Sequence, residues 1–225
     1  MKKDVLGIKI DDVNIDQALE VVKGWLKTKT SRYIVTPNPE IVVMAQKDQQ
    51  LKEIISNADL AIPDGVGLKL LTDIVCYTPG IDLMEALIKS SLDYGFTIGL
   101  LGGSKGVAEK AAECLRKKYP GVKIVYANSD LIKLPKLDLL FVGFGAPKQE
   151  KWIAKNLDKL PVKVFMGVGG SFDFLSGRIP RAPKLIRKLG FEWLFRLRVQ
   201  PWRIKRQMAL LKFVYYIFRY DKVVI

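Results

Sequence analysis

Short apolar runs, many of them rich in β-branched residues, alternate along the chain with longer segments in which apolar residues recur at helical spacing. The apolar runs predict strands at Tyr33–Thr36, Leu60–Pro63, Phe96–Leu101, Lys123–Ala127, Leu137–Phe144 and Val162–Val168. The helically spaced segments predict helices over about 40–57, 66–72, 83–94, 104–119 and 147–157. Strands that are apolar throughout and separated by helices are typical of a parallel sheet covered on both faces. The pattern therefore predicts an α/β fold, with a Rossmann-like, mainly parallel sheet and helices on both faces.

Several of the predicted helices have a residue that suits a helix start. Asp82 is expected to cap the helix that begins at Leu83, and Ser104 to cap the helix that follows the Gly102-Gly103 turn. Pro147 is expected at the first position of its helix, where its missing N–H costs nothing. Near the amino terminus, Val5–Ile10 predicts a short strand.

From Arg181 onward the pattern changes to helix alone, with basic residues interleaved with aromatic ones. The change lies somewhere within 178–195. We place the boundary at residue 190, which divides the chain into an α/β body, residues 1–190, and a basic, aromatic helical appendage, residues 191–225.

The charge of the chain is concentrated near its carboxyl end. Lys and Arg number 37 against 23 Asp and Glu, a net charge of +14. Residues 178–225 carry 13 Lys and Arg against two acidic residues, or +11, and hold eight of the arginines. A nearly neutral body with such a tail indicates an anionic partner: nucleic acid, an acidic membrane surface or a pyrophosphate-bearing substrate.

The composition excludes several kinds of site. With no histidine in the chain, His-based metal sites, Ser-His-Asp triads and imidazole bases are excluded. Cys76 and Cys114 lack CxxC spacing, which excludes a zinc ribbon and a disulfide scaffold and favours a reducing compartment.

Two segments bear on targeting and membrane insertion. The amino terminus lacks the apolar stretch of a signal peptide. The run Met208–Phe218 is interrupted by Lys212 and is shorter than the ~20 residues that a spanning helix needs. We therefore expect a cytoplasmic protein, or one peripheral on the inner face of the cell membrane.

Polar and glycine residues gather where the predicted strands end, and in open α/β sheets ligands bind beyond these carboxyl ends. The turn at Gly102–Ser104 joins a strand to a helix start and is as typical of a tight turn as of a phosphate loop. The segment Gly143–Glu150 adds a cation, Lys148, and an amide, Gln149, which favours ligand contact there. Neither ends in the GK[ST] of a P-loop ATPase.

Asp64 follows a predicted strand, where a desolvated carboxylate is suited to act as a general base toward a hydroxyl group. It is equally suited to cap the following helix. Thr36 and Asn38 can orient a sugar or phosphate by neutral hydrogen bonds, or shape the proline-flanked turn.

The chain contains no Asp-x-Asp pair, which many nucleotide-sugar enzymes use to hold a divalent metal. Without that pair and without histidine, the negative charge of a pyrophosphate leaving group would have to be stabilised by helix N-termini and by Arg or Lys. The arginine-rich tail can supply such a clamp, because guanidinium matches phosphate oxygens bidentately.

Taken together, these residues resemble the WecG/TagA/CpsF family of bacterial glycosyltransferases over about residues 5–210. The resemblance rests on eight ordered segments: Thr36–Glu40, Pro63–Gly67, Gly80–Leu83, Leu100–Gly103, Gly143–Trp152, Gly167–Asp173, Gly177–Pro183 and Glu192–Leu197. One position departs from the pattern, because Tyr77 stands where family members often carry arginine.

The resemblance implies an inverting, metal-independent transferase at the cytoplasmic membrane face. Teichoic-acid members of the family move N-acetylmannosamine from UDP to the 4-hydroxyl of GlcNAc on undecaprenyl diphosphate, and enterobacterial relatives transfer the corresponding uronic acid. By the same resemblance Asp64 is the catalytic base, and Thr36 is a companion active-site residue. The appendage completes the site and contacts the lipid diphosphate and the membrane.

On this hypothesis the helix starts after Gly103 and Gly145 receive the nucleotide diphosphate. Arg196, Arg203 and Arg206 contact donor or acceptor phosphates, with solvated or lipid-facing charge as the open alternative. Asn38 joins Asp64 and Thr36 in the expected catalytic set. The expected ligand contacts in the body are Gly102, Gly103, Ser104, Gly145, Lys148, Gln149, Gly169 and Asp173.

The expected partners are a UDP-sugar donor, a polyprenyl-diphosphate-linked acceptor and an anionic membrane surface, with no metal, cofactor or nucleic acid. Two other classes stay open: a nucleic-acid-binding module, and a nucleotide-sensing regulator without catalysis, to which the departure at Tyr77 lends support. A homo-oligomer also stays open, because the apolar tail positions can pack on the body or on a second copy. These positions are Ile204, Leu210, Leu211 and Val214.

Overall fold

The computed structural model describes residues 2–221, excluding the side chains of residues 205, 207, 220 and 221. The strands are β1 Lys2–Val5, β2 Ile8–Asp11, β3 Arg32–Val35, β4 Leu60–Ala61, β5 Thr97–Gly102, β6 Lys123–Asn128, β7 Leu137–Gly143 and β8 Val162–Gly167. The helices of the first 180 residues are α1 Ile15–Leu26, α2 Pro39–Ala45, α3 Gln49–Ser56, α4 Val66–Leu71, α5 Gly80–Tyr94, α6 Val107–Lys118, α7 Lys148–Asn156 and α8 Ser171–Leu175. Those that follow are α9 Lys184–Lys188, α10 Glu192–Val199, a short 3-10 helix Pro201–Arg203 and α11 Ile204–Asp221.

Six strands form one parallel sheet in the order β4-β3-β8-β7-β5-β6, and β1 and β2 form a separate antiparallel hairpin. The chain crosses over a face of the sheet between successive parallel strands, which is why helices separate them in the sequence. The predicted α/β class and the parallel sheet are confirmed.

Alternate residues of the central strands face two different apolar clusters. In β7, Leu139 and Phe141 point into a cluster with α1, α5, α6 and α8, while Leu140 and Val142 point into one with α2, α3, α7 and α11. These four residues are fully buried. The sheet is thus covered on both faces, and its carboxyl edge is left for the loops that form the site.

Two predicted elements differ from the structure because short polar residues form local hydrogen bonds. The helix predicted over 40–57 is two helices, since Asp48 caps α3 by accepting from the amide of Leu51 at 3.1 Å. The single strand predicted at Val5–Ile10 is a hairpin. It turns at Leu6 and Gly7, and Asp4 accepts from the amide of Gly7 at 2.7 Å.

Three helix starts also differ from expectation. Asp82 does not cap α5, which begins two residues earlier at Gly80, so Asp82 lies in its first turn. Ser104 does not cap α6, because Gly106 at φ 79° precedes its first residue. Pro147 lies just before α7 rather than at its first position. In each case the turn itself sets where the helix begins. The sequence analysis also missed α1, whose start carries a capping box between Asn14 and Gln17.

The carboxyl-terminal helices return to the body. Phe213 of α11 is fully buried in the same apolar cluster as α2 and α3. Ile204 and Leu211 are exposed, whereas Leu210 lies close to Gly67 in α4. The division of the chain at residue 190 stays a prediction, and the last four residues of the predicted appendage lie outside the described residues. Within residues 2–221, no helix has the length and hydropathy needed to cross a bilayer.

Candidate active site

The carboxyl ends of the central strands open into one cleft of about 1190 Å³, which α10, the 3-10 helix and α11 border on the other side. Thirteen of the fourteen residues proposed from the sequence line it: Thr36, Asn38, Asp64, Gly103, Ser104, Gly145, Lys148, Gln149, Gly169, Asp173, Arg196, Arg203 and Arg206. The structure therefore brings together residues from both ends of the chain.

Gly102 is the residue that does not line the cleft. It is buried at φ 108°, and a side-chain carbon at this position would lie 2.9 Å from the backbone carbon of Gly143 and 2.9 Å from the ring of Phe144. Only glycine fits this approach of β5 to β7. The position of Gly102 does not support the prediction that it contacts a ligand. Its role is to allow β5 and β7 to approach each other.

Asp64 is held at the floor of the cleft by the two turns around it. Its amide donates to the carbonyl of Pro37 at 2.9 Å, and the amide of Thr78 donates to the carbonyl of Pro63 at 3.0 Å. The following helix, α4, has Gly65 at its N-cap and no side-chain cap. Asp64 therefore does not cap α4, and that alternative is wrong.

The carboxylate of Asp64 instead lies against the start of α5, where the backbone amide of Gly80 acts to lower its pKa. Burial raises the pKa of Asp64 to about 7, against the pull of the Gly80 amide. The negative charges of Glu192 and Asp82 raise this pKa further, while Arg196 lowers it. A carboxyl group with this pKa is suited to accept a proton near neutral pH.

Thr36 and Asn38 lie on either side of the same turn. Thr36 is buried, and its hydroxyl donates to the carbonyl of Gly167 at 3.4 Å. Asn38 caps α2, because its Oδ1 accepts from the amide of Ile41 at 3.0 Å. The turn-shaping role that the sequence left open for Asn38 is thus present, and its side chain still lines the cleft.

Gln149 connects two glycine loops at the edge of the sheet. It is 2% exposed, and its Oε1 accepts from the amides of Gly145 at 3.1 Å and Gly169 at 2.9 Å. Its Nε2 donates to Glu150 at 2.8 Å. Because these protein contacts engage both ends of the side-chain amide, the structure gives Gln149 a role in holding the loops rather than the predicted ligand contact.

The turn that precedes α6 lies at the cleft next to these loops. The amide of Gly103 donates to the carbonyl of Gly143 at 3.0 Å, which holds the turn against β7. Ser104 is exposed, and Lys148 is exposed at the start of α7. The free amides of such helix starts favour an anion.

Three arginines of the carboxyl-terminal helices face the loops. The guanidinium of Arg196 lies 4.7 Å above the ring of Phe174 and packs against Gly170, where an added side-chain carbon would lie 2.5 Å from Nη2. Among the described residues, its buried Nε has no hydrogen-bond partner. Burial and the charge of Arg206 lower the pKa of Arg196, although Asp173, Asp64 and Glu192 act in the opposite direction.

The other two arginines lie close to Arg196. Arg203 donates to Gln200 at 3.1 Å, and burial together with the charges of Arg196 and Arg206 lowers the pKa of Arg203 to about 10. Arg206 donates to Glu40 at 2.5 Å. Cations gathered at such an electrostatic cost are stabilised by a multiply charged anion.

Four further residues near Asp64 were not among the proposed site residues. Tyr77 lines the cleft, and burial and the charge of Asp64 raise the pKa of its phenol. Asp82, Arg181 and Glu192 form ion pairs at the rim. All three lie in segments that carried the family resemblance, but no spacing rule connects them, so their contact was not predictable from the sequence.

The described residues include no group of three or more Cys, Asp and Glu side chains arranged to hold a metal ion. The positive charge of the cleft comes instead from the three arginines and Lys148.

Comparison with known proteins gives one consistent result. The model of the "Glycosyl transferase WecG/TagA/CpsF family" matches residues 3–223. Two relatives from Staphylococcus aureus, strains MRSA252 and NCTC 8325 / PS 47, are 34% identical over 231 residues, covering 95% of this chain and 91% of theirs. Both are named N-acetylglucosaminyldiphosphoundecaprenol N-acetyl-beta-D-mannosaminyltransferase.

Proposed function

Because the chain belongs to the WecG/TagA/CpsF family of glycosyltransferases, we propose that it transfers N-acetylmannosamine from UDP-ManNAc to the 4-hydroxyl of GlcNAc-diphospho-undecaprenol. We propose further that transfer inverts the anomeric centre and needs no divalent metal. The observation that carries the proposal is the placement of Asp64, a carboxyl group with a pKa of about 7, in a cleft opposite three clustered arginines.

The reaction is a single displacement. Asp64 takes the proton of the acceptor hydroxyl as that oxygen attacks the anomeric carbon from the face opposite UDP. The bond from the anomeric carbon to the diphosphate oxygen breaks, and its electron pair leaves with UDP. One displacement inverts the configuration, and Asp64 ends the step protonated. The Gly80 amide favours the ionised carboxylate, and burial keeps it basic enough to accept the proton.

The leaving UDP gains negative charge as the bond breaks. The turn of Gly103 and Ser104 that precedes α6 lies on one side of the cleft, and Arg196 and Arg203 lie on the other. Donors already held toward this position stabilise the charge without reorganising. This arrangement supports a reaction in which arginines take the role that a metal ion has in other nucleotide-sugar enzymes.

The acceptor reaches the cleft from a lipid surface. Trp202, Leu211, Tyr215 and Phe218 on the 3-10 helix and α11 are each more than half exposed, close in the chain to several basic residues. Exposed aromatic and basic side chains together suit an anionic lipid interface. We therefore propose that the protein is peripheral on the cytoplasmic face of the membrane and that these helices contact it.

The test is a transfer assay with the full chain, a panel of UDP-sugars including UDP-ManNAc and UDP-ManNAc-uronic acid, and GlcNAc-diphospho-undecaprenol in detergent. We expect transfer from UDP-ManNAc that persists in EDTA, with the β-linked product identified by NMR. Asp64→Asn should lower the rate about 10²–10⁴-fold while UDP binding measured by calorimetry is retained. Turnover of the uronic acid donor alone would overturn the choice of sugar, and unchanged turnover in Asp64→Asn would remove Asp64 from the mechanism.

A non-catalytic nucleotide-binding or nucleic-acid-binding role predicts a different outcome from the same preparation. It would give UDP or single-stranded DNA binding without transfer from any donor in the panel.

A further inference from the structure

We propose that Asp82, Arg181 and Glu192 form an ionic clamp that seats α10 against the start of α5 and so places Arg196 and the charge of Glu192 beside Asp64. The clamp is a positioning device and rests on the proposed function only in that Asp64 is taken as the base. None of its three residues is assigned a contact with substrate.

The geometry of the clamp is that of one cation between two anions. Arg181 Nη2 lies 2.6 Å from Asp82 Oδ1, and Arg181 Nε donates to Glu192 Oε1 at 3.3 Å. Arg187 adds a longer contact of 3.8 Å to the same Asp82 oxygen. The side chains of Arg181 and Glu192 are each 19% exposed. Ion pairs this sheltered are costly to break, because removing one partner leaves a desolvated charge behind.

The surroundings of α10 show why the clamp matters. No residue of α10, all of which the structure describes, is fully buried, and Leu194 is 48% exposed. Apolar packing therefore supplies little to fix the position of this helix. Among the side chains that the structure describes, the contact of Glu192 with Arg181 is the ion pair that ties α10 to the body.

The clamp acts on the cleft through Arg196. Glu192 and Arg196 are four residues apart on α10 and so share one face of the helix. Holding Glu192 on Arg181 therefore holds the guanidinium of Arg196 over Phe174 and Gly170.

The clamp also acts on Asp64 through charge. The charged and titratable groups that face Asp64 are Asp82 on α5, Tyr77 before α5, and Glu192 and Arg196 on α10. Burial is the largest cause of the raised pKa of Asp64, and Glu192 and Asp82 raise it further. Removing the cation of Arg181 leaves the charge of Glu192 unpaired and leaves Asp82 with only its longer contact to Arg187. Both changes strengthen the negative charge that acts on Asp64, whereas removing the charge of Glu192 weakens it.

The test compares three single variants of the full chain: Arg181→Gln, Glu192→Gln and the control Lys188→Gln, which removes an exposed positive charge from α9. The first readout is the acid limb of the pH dependence of kcat/KM for transfer. We expect the limb to move to higher pH in Arg181→Gln. It should move to lower pH in Glu192→Gln, since the amide oxygen of the substituted side chain can still accept from Arg181 while its charge is gone. It should stay in place in Lys188→Gln. We also expect kcat/KM at its optimum to fall ~10-fold in Arg181→Gln.

The second readout is amide hydrogen exchange across α10 in the absence of substrate. Exchange should be faster in Arg181→Gln than in the wild type and unchanged in Lys188→Gln. The clamp would be overturned if Arg181→Gln and Glu192→Gln moved the acid limb in the same direction. It would also be overturned if Arg181→Gln made exchange faster but left the acid limb in place. If no donor is turned over, the proposed function fails, and unchanged exchange across α10 then decides against the clamp on its own. Should Arg181→Gln not fold, Glu192→Gln supplies the shift of the acid limb, and Glu192→Ala, which removes the contact with Arg181 altogether, supplies the faster exchange across α10.

Discussion

The first residue of α5, Gly80, lies directly against Asp64: a side-chain carbon at Gly80 would lie 3.5 Å from Asp64 Oδ2 and 3.0 Å from Thr36 Cγ2. The helix start thus reaches the carboxylate because no side chain stands between them. The amide of Gly80 and the dipole of α5 both favour the ionised form of Asp64. This one contact connects the turn after β3, the turn after β4 and the long helix α5 that packs under the cleft.

The first prediction concerns that contact. Gly80→Ala should fold but lower kcat for transfer by ~10-fold or more, because the added methyl group must displace Thr36, the residue next to the Asp64 carboxylate, by a few tenths of an ångström. The matched control is Gly24→Ala in α1, where nothing lies within 4 Å of an added carbon. Gly24→Ala should keep full activity and gain up to ~1 kcal/mol of stability. Equal activity in the two variants would show that the approach of α5 to Asp64 is not needed.

The second prediction is a pH dependence. Asp64 must be ionised to accept a proton, and its pKa is about 7. The rate of transfer should therefore rise with pH through a midpoint of about 7, and be low at about pH 5. A rate that is flat from about pH 5 to pH 8 would contradict the assignment of Asp64 as the base.

The third prediction concerns the effect of the raised pKa of Asp64 on the stability of the folded chain. The pKa of Asp64 is raised in the folded chain from the ordinary value of 3.8, so ionisation favours the unfolded chain between about pH 4 and 7. Above about pH 7 the folded chain keeps the full loss of stability caused by ionising Asp64, on the order of 4 kcal/mol. Asp64→Asn should therefore be more stable than the wild type at about pH 8 and equally stable at about pH 4, as measured by thermal unfolding. A difference that does not change with pH would contradict the raised pKa.

The fourth prediction separates the arginine cluster from the general charge of the carboxyl-terminal helices. Arg196→Gln should lower kcat/KM about 10²-fold, because Arg196 lines the cleft and its guanidinium stabilises the leaving diphosphate in the proposed mechanism. Arg198→Gln removes the same charge from an exposed position on the same helix and should have little effect on the rate in detergent. Equal losses in the two variants would assign the effect to net charge rather than to the site.

The fifth prediction concerns the membrane. Trp202 is 71% exposed, and Trp202→Ser should weaken sedimentation with vesicles that contain anionic lipid. Binding of the wild type should also fall as salt is raised. Removing the chain from residue 196 onward should release the protein from the vesicles. The control is Tyr94→Ser, which removes an exposed aromatic residue at the end of α5. A truncated body that sediments as before would show that the carboxyl-terminal helices are not the membrane contact.

Much of the fold was predictable because the signals are local. Apolar runs such as Val162–Val168 identify buried strands from their own sequence, and the parallel sheet follows from the helices between them. Turn details were harder to predict. Asp48 and Gly106 each redirect the chain by one local hydrogen bond or one positive φ, which the apolar period does not report.

The location of the candidate site was predictable from the sequence, but the role of each residue in it was not. Glycine and polar residues at strand ends lie at one edge of any parallel sheet, and this rule alone brought Thr36, Asp64 and Gly145 to the cleft. It did not distinguish residues that face the cleft from those that support it. Gln149 holds two loops, and Gly102 allows two strands to approach, although both lie in the same kind of segment as the others.

The sequence by itself determined the class of fold, the edge of the sheet that carries the chemistry and the uneven placement of charge, because each of these follows from residue types and their spacing. Only the tertiary structure decided that Asp64 meets the start of α5 and that Arg181 joins Asp82 to Glu192. These contacts join residues far apart in the chain. Their distances and shelter from water depend on how the crossover helices and the carboxyl-terminal helices pack, and that packing sets the pKa of the proposed base.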